Sequence, residues 1–237
     1  LVSFASAQMS VFNEANELYK QGKYEEAIQK YEQLQQKETH SATIYFNLGN
    51  AYFKQGKLAN AILNYERAYK LNPSDKDIVT NLNFAKAQIA DKIEAPKQYF
   101  FAKWWNGFIR SQHSNFWAYL GIAFWGLLFL MIVLFVRSQS VTKRKIYFGI
   151  AFVSLFVACL GFYASYSQYD SNHNEKYAIV FAQNVTANST PSNNGTELFI
   201  LHEGTKVKIL DKVGNWNKIQ LADKREGWLP MKEIVQI

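Results

Sequence analysis

Residues 42–73 read ATIYFNLGNAYFKQGKLANAILNYERAYKLNP, and their spacing decides the organisation of the N-terminal part of the chain. KQGK at 54–57 repeats KQGK at 20–23, a period of 34 residues. The same offset carries Phe12 to Phe46, Asn16 to Asn50, Ala27 to Ala61, Ile28 to Ile62, Tyr31 to Tyr65 and Glu32 to Glu66. Self-similarity at such a period is the mark of stacked helical units. Gly49 and Ala61, with Ala15 and Ala27 in the first copy, let paired helices approach. Aromatic rings fill the space between turns, and Pro73 cannot continue a helix. A third stretch, DKDIVTNLNFAKAQIA (75–90), keeps Val79 and Leu82 in register and is expected to cap the stack.

The set Tyr45, Leu48, Gly49, Tyr52, Ala61, Tyr65, Ala68 and Pro73 resembles the tetratricopeptide repeat, which implies an all-α solenoid over residues 9–95. The resemblance implies a groove lined by the first helix of each pair. Phe12, Asn16, Tyr19 and Lys20 would face it from one copy, and Phe46, Asn47, Asn50, Phe53 and Lys54 from the next. Some domains of this family grip a terminal carboxylate with two asparagines and basic residues. Asn16 and Asn47 fall in matching places, but Phe12 stands where a lysine is expected, and Asp77 and Asn81 replace other basic groups. An aromatic groove for a peptide or partner helix is therefore the expectation. The alternative use of these rings is packing within the stack.

Two apolar runs follow, FWAYLGIAFWGLLFLMIVLFV (116–136) and IYFGIAFVSLFVACLGFYASY (146–166), each 21 residues without a charge. At about 1.5 Å per residue each makes about 31 Å of helix, matching a hydrocarbon core of roughly 30 Å. They read as a two-helix transmembrane hairpin joined by a basic loop at 137–145. Ala151, Ser154, Ala158, Gly161 and Ser165 form a stripe of small residues suited to close helix packing, and Cys159 reads as a packing residue. The loop carries Arg137, Lys143, Arg144 and Lys145, whereas the outer flanks carry Lys103, Arg110 and Lys176. Basic residues near spans are retained in the cytoplasm, so the loop is expected there and both termini across the membrane.

The opening LVSFASAQ agrees with export. Ala5-Ser6-Ala7 before Gln8 resembles the end of a signal peptide, making residues 1–7 a remnant; the alternative is the start of a small-residue helix. Segment 99–115 begins YFFAKWWNGFIR and mixes Tyr99, Phe100, Phe101, Trp104, Trp105 and Phe108 with Lys103 and Arg110. That composition suits the interface of a lipid bilayer.

Beyond residue 170 the periodicity changes to alternation. YAIVF (177–181), ELFIL (197–201), TKVKIL (205–210), NWNKIQL (215–221) and GWLP (227–230) are strand candidates separated by turn formers. The Pro-Ser loop, His-Glu-Gly-Thr before a Val/Ile strand, Trp-x-Lys-Ile and Gly-Trp-Leu-Pro resemble bacterial SH3-like domains, which implies an all-β small barrel over 175–237. Alternation puts Ile219 and Leu221 on one strand face and Trp216, Lys218 and Gln220 on the other. Trp216, beside the 191–195 loop, is thus the expected ligand contact, and Trp228 the more buried, structural ring. Sequons at Asn184, Asn188 and Asn194 read as a polar loop.

The net charge of +7 does not imply nucleic acid, because residues 99–173 hold six Lys/Arg against Asp170 alone, leaving the rest almost balanced. One cysteine permits no internal disulfide and no four-cysteine zinc site. His40, His113, His173 and His202 lack metal-ligand spacing, no catalytic motif occurs, and neither enzyme activity nor a cofactor or metal is expected. The order of segments resembles the BatE family, the tetratricopeptide members of bacterial aerotolerance operons. The resemblance implies a two-pass inner-membrane protein with both large domains periplasmic. It also implies partners among the operon's von Willebrand factor A-type membrane proteins, linked to a MoxR-type ATPase, and a role in tolerance of oxidative stress. A non-enzymatic scaffold is the expected function. The alternative is an envelope sensor whose SH3-like domain binds peptidoglycan.

Overall fold

A computed structural model describes residues 2–36, 41–93, 100–110, 112, 114–173 and 176–237. The side chains of 2–8, 101–103, 106, 110 and 171–173 are outside that description. His40, His113, Tyr99 and the 94–95 end of the repeat segment therefore lie outside the described residues, as do the side chains of Ala5, Ser6, Ala7, Gln8, Phe101, Lys103, Arg110 and His173. The chain forms two compact units, one made of 1–97 together with 175–237 and one of 98–174.

In the first unit five helices stack: α1 (Val2–Lys20), α2 (Tyr24–Gln36), α3 (Ala42–Lys54), α4 (Leu58–Leu71) and α5 (Lys76–Ala87). The two KQGK turns work because Gly22 and Gly56 adopt φ of 77° and 73°, left-handed conformations that end α1 and α3 cheaply only without a Cβ. Gly49 is the close-approach point. A Cβ there would fall 2.7 Å from the Tyr65 ring. Asp75 caps α5 by accepting from the N–H groups of Asp77 and Ile78 at 2.9 and 3.2 Å. Ile78, Leu82 and Ala85 are its buried residues, with Ile78 and Leu82 one period beyond the buried Ile44 and Leu48. The backbone of Val2–Gln8 continues α1 without a break.

The C-terminal part is an antiparallel sheet in the order β3-β2-β6-β5-β4-β1-β7. Its strands are β1 (Lys176–Val180), β2 (Asn184–Asn188), β3 (Glu197–His202), β4 (Lys206–Val213), β5 (Trp216–Gln220), β6 (Glu226–Pro230) and β7 (Ile234–Gln236). The short β2 and β7 were not among the expected strands. β2, NVTAN, offers only Val185 and Ala187 as apolar inward positions, too weak an alternation to read from sequence. Two of the sequons, at Asn184 and Asn188, thus bound a strand rather than a loop, and the buried Asn188 amide donates to the Ser192 carbonyl at 2.8 Å.

The repeats and the sheet were expected as separate modules, but they form one compact unit in which β1 reaches both cores. β1 is buried on both faces. Ala178 and Val180 join Leu201, Val207, Ile219, Leu221 and Leu229 inside the sheet, while Ile179 joins the core of the repeats, with Phe181, Val235 and Ile237 packed against it. Residues alternate between two cores because successive side chains of a strand point to opposite faces.

The second unit holds α6 (Phe100–Arg110), α7 (Ser114–Arg137) and α8 (Val141–His173). α7 and α8 are long and apolar enough to cross a membrane. The expected nine-residue basic loop is corrected to a three-residue turn at 138–140. Arg137 ends α7 and Lys143, Arg144 and Lys145 lie in the first turns of α8. Nothing in 141–145 breaks a helix, so charge marked the end of the apolar run but not the helix boundary. Ser154, Ala158 and Gly161 are buried as the small-residue stripe requires, and Ala164 joins them. A Cβ on Gly161 would come within 3.0 Å of the Trp117 carbonyl oxygen and 3.1 Å of Gly121 N. Cys159 is exposed on the opposite side of α8 and does not pack on α7.

Candidate functional site

α1, α3 and α5 carry a polar ladder that repeats with the sequence period. The Asn16 Oδ1 accepts from the Tyr31 hydroxyl at 2.6 Å and from Asn47 Nδ2 at 3.1 Å. One repeat on, Asn50 Oδ1 accepts from the Tyr65 hydroxyl at 2.7 Å and from Asn81 Nδ2 at 2.9 Å. Burial pushes the Tyr31 phenol up to about 12 and raises that of Tyr65 further, so both remain protonated donors throughout the physiological range. Because Asn16 and Asn50 spend their oxygens inside the ladder while Asn47 and Asn81 spend an amide N–H, the edge left to a ligand holds the Asn16 and Asn50 N–H donors and the Asn47 and Asn81 oxygen acceptors.

Above the second rung lies a cavity of about 280 Å³ lined by Tyr19, Asn50, Phe53, Lys54, Tyr65, Asn81 and Phe84. Of the nine residues expected to face the groove, Tyr19, Asn50, Phe53 and Lys54 meet there. Phe12 and Phe46 are half-buried and stand edge-on or tilted to Tyr31 and Tyr65 at 6.2 and 6.0 Å, which is packing within the stack. Asn16 and Asn47 belong to the first rung, and Lys20 is exposed and paired with Glu17 at 2.7 Å. Tyr65 and Phe84 were not among the expected lining residues, and Asn81 was read only as standing where the family carries a basic group. Extending the period into α5 would have found two of them, since Asn81 stands where Asn47 does and Phe84 where Asn50 does. Phe84 is 61% exposed and meets Phe53 edge-on at 5.7 Å. Among the described residues no carboxylate lines the cavity. Aromatic walls, one amide donor, one amide acceptor and one ammonium suit an apolar side chain and the backbone N–H and carbonyl groups of a bound peptide.

The opposite side of α4 is closed by the sheet. Glu66, whose side chain is 4% exposed, lies 2.7 Å from Lys206 Nζ of β4 and 2.6 Å from Lys86 Nζ of α5. Lys206 makes a hydrogen bond to Oε2, and Lys86 pairs with Oε1. Burial alone would push the Glu66 carboxyl up, but the two ammonium groups outweigh it and hold it below the usual carboxylate range. Asp91 clamps the turn between β3 and β4, accepting from His202 N at 2.8 Å and Thr205 Oγ1 at 2.6 Å, with His202 Nδ1 at 2.7 Å. Its carboxyl is also lowered, since these hydrogen bonds outweigh burial. Gly204 lets the turn close on α4, for a Cβ there would lie 3.0 Å from Ile62 Cδ1. The His-Glu-Gly-Thr stretch is thus a docking turn against the repeats.

On the sheet, Trp216, Lys218 and Gln220 lie on one face of β5 and Asn217, Ile219 and Leu221 are buried. Trp216 is half-buried, opposite Pro230. Trp228 stands opposite Lys218, hence on the same outer face, and is also half-buried; Gly227 and Leu229 are the inward residues of β6. The reading of Trp228 as the structural ring is corrected by this register. Trp228 also pairs with Asn188, so it, rather than Trp216, neighbours the strand that leads into the 191–195 loop. Lys218 and Gln220 both bind Glu226, at 2.8 and 2.9 Å, between the two rings and the strand end.

Comparison with known families agrees with this architecture. A TPR repeat model matches residues 15–56, a tetratricopeptide repeat model residues 42–75, and a bacterial SH3 domain model residues 189–235. No curated protein matches the chain. The chain is thus a protein with N-terminal tetratricopeptide repeats, two apolar helices and a C-terminal SH3-type sheet, a combination of protein-interaction folds.

Proposed function

We propose that this chain is a membrane-anchored, non-enzymatic scaffold of the bacterial envelope that holds a peptide or helix of a partner in its repeat groove. The observation that carries this reading is the Phe53–Phe84 wall standing over the Asn50–Asn81 rung. The α7–α8 hairpin supplies the anchor, and the basic residues beside its turn support a cytoplasmic turn with both large parts periplasmic. Resemblance to the BatE family supports von Willebrand factor A-type membrane proteins as partners, an indirect link to a MoxR-type ATPase, and a role in aerotolerance. The three-residue turn leaves little surface for signal output, which favours a scaffold over a peptidoglycan sensor.

A photo-crosslinking amino acid at Phe84, compared with one at the exposed Lys70, tests the groove. Adducts in native membranes should form at position 84, and Phe53→Ala should deplete them with the repeats still helical. Central anchors typically contribute about 2 kcal/mol, roughly thirtyfold in affinity. Equal adducts at both positions would remove the groove from the mechanism. A cysteine at Ser140 that reacts with an impermeant thiol reagent in sealed spheroplasts would invert the proposed topology.

A further inference from the structure

α6 has two faces. Ile109 is buried with Trp117 and Ala164, and Trp105 and Leu120 pack on that cluster. On the other face Phe100, Trp104 and Phe108 follow at intervals of four residues and are 77%, 59% and 46% exposed. The helix is fixed, not trailing: the Trp117 indole N–H donates to the Ile109 carbonyl at 2.9 Å, and Gln168 of α8 donates to the Gln112 carbonyl at 2.7 Å. Its rings run without a gap into the hairpin. Trp104 stacks on Phe108 at 5.8 Å, Phe108 meets Trp117 edge-on at 5.0 Å, and Trp117 meets Phe116 at 5.4 Å. Phe116 and Tyr119 then open the exposed apolar surface of α7.

We propose that α6 is a preformed lipid-interface anchor, its Phe100–Trp104–Phe108 face bedded at the headgroup–acyl boundary of the bilayer that α7 and α8 cross. This rests on the membrane-anchoring reading above. Water is a poor solvent for three large rings in a row, and a second folded protein would have to be shaped around a surface that is continuous with the lipid-facing side of α7. The interface satisfies both, taking aromatic rings and leaving the indole N–H a polar neighbour. Because the opposite face is already packed, the helix does not have to fold on the membrane.

Nitroxide side chains placed singly at 100, 104 and 108, in the full chain carrying Cys159→Ser, test this in phosphatidylethanolamine–phosphatidylglycerol vesicles. Accessibility to oxygen and to a water-soluble nickel chelate reads depth. All three labels should lie about 5–10 Å below the lipid phosphates. They should agree to within a few ångströms although residues 100 and 108 are about 12 Å apart along the helix. A label at Phe129, exposed midway along α7, should lie deep in the hydrocarbon. If position 129 is deep but 100, 104 and 108 see the nickel chelate as free water does, the anchor is wrong while the membrane reading stands. Immobile labels shielded from both reagents would mean a protein cover and also overturn it. A water-exposed label at 129 would overturn both.

Discussion

Replacing Glu66 with alanine would show whether repeats and sheet stand as one folding unit. The carboxylate is 4% exposed and paired with Lys206 and Lys86 at 2.7 and 2.6 Å. Breaking a buried ion group by removing one member costs about 3–5 kcal/mol when the survivors stay buried. Here Lys86 and Lys206 keep 37% and 33% of their side chains in solvent and regain water, which lowers the expectation to about 2–3 kcal/mol. For a body of this size, each kcal/mol moves Tm by about 2–4 °C, so the loss should be about 4–12 °C. Differential scanning fluorimetry of the full chain in detergent reads the loss, and hydrogen exchange locates it at residues 60–67 and 200–208. Glu66→Ala with Lys206→Ala should be less than additive, by about 1 kcal/mol, because the double variant leaves fewer unpaired charges. An unchanged Tm with unchanged exchange over 200–208 would refute the idea that this acid joins the two parts.

Acid should loosen the same contact. Glu66 and Asp91 both have lowered carboxyl values in the fold, so their stabilisation is complete above the unfolded values of about 4 and is lost as pH falls through the folded ones. Tm measured from pH 6 to 3 should drop more steeply in the native chain than in Glu66→Gln with Asp91→Asn. Gly161→Leu should separate α7 from α8, costing about 1–3 kcal/mol, because its new atoms meet immovable backbone; Gly126→Leu, with open space at Cβ, should leave detergent melting unchanged. Trp216→Ala, on the outer face, should cost less than Leu229→Ala, which empties the sheet core and should cost about 2–5 kcal/mol. The reverse order in melting experiments would make Trp216 a core residue.

What was legible in the sequence is what repeats or alternates. The 34-residue period announced α1 to α4, and the Trp216–Leu221 alternation gave the correct faces of β5. The contacts that join distant segments were not legible, because nothing local marks Glu66 as the partner of Lys206 or Asp91 as the partner of Thr205. Two traces were nevertheless present. YAIVF is an unbroken apolar run, the pattern of a strand buried on both sides, and β1 does divide its residues between two cores. Likewise, Ala59, Ile62 and Leu63 widen the apolar stripe of α4 beyond the one face that a repeat helix needs. Glu66 also repeats Glu32. Glu32 takes the Tyr52 hydroxyl of the next repeat, and Glu66 takes Lys86, the residue one period beyond Tyr52. The half-repeat α5 therefore keeps the register of the stack while exchanging a neutral partner for a charged one.

That exchange ties the groove to the sheet. Tyr65 and Glu66 are consecutive residues of α4, the first donating to Asn50 at the floor of the groove and the second holding Lys206 and Lys86 on the other side. Lys86 belongs to α5, which also supplies Asn81 and Phe84 to the groove. The two helices that form the far wall are thus the two tied to the sheet through Glu66, whereas the Asn16–Tyr31–Asn47 rung lies one repeat away from that contact. Glu66→Ala should accordingly raise hydrogen exchange in α5 and reduce crosslinking from position 84, with α1 and α2 unaffected. Equal loosening of both rungs would mean that the sheet only stabilises the stack as a whole. Loosening confined to α4 and α5 would mean that it sets the position of the groove wall.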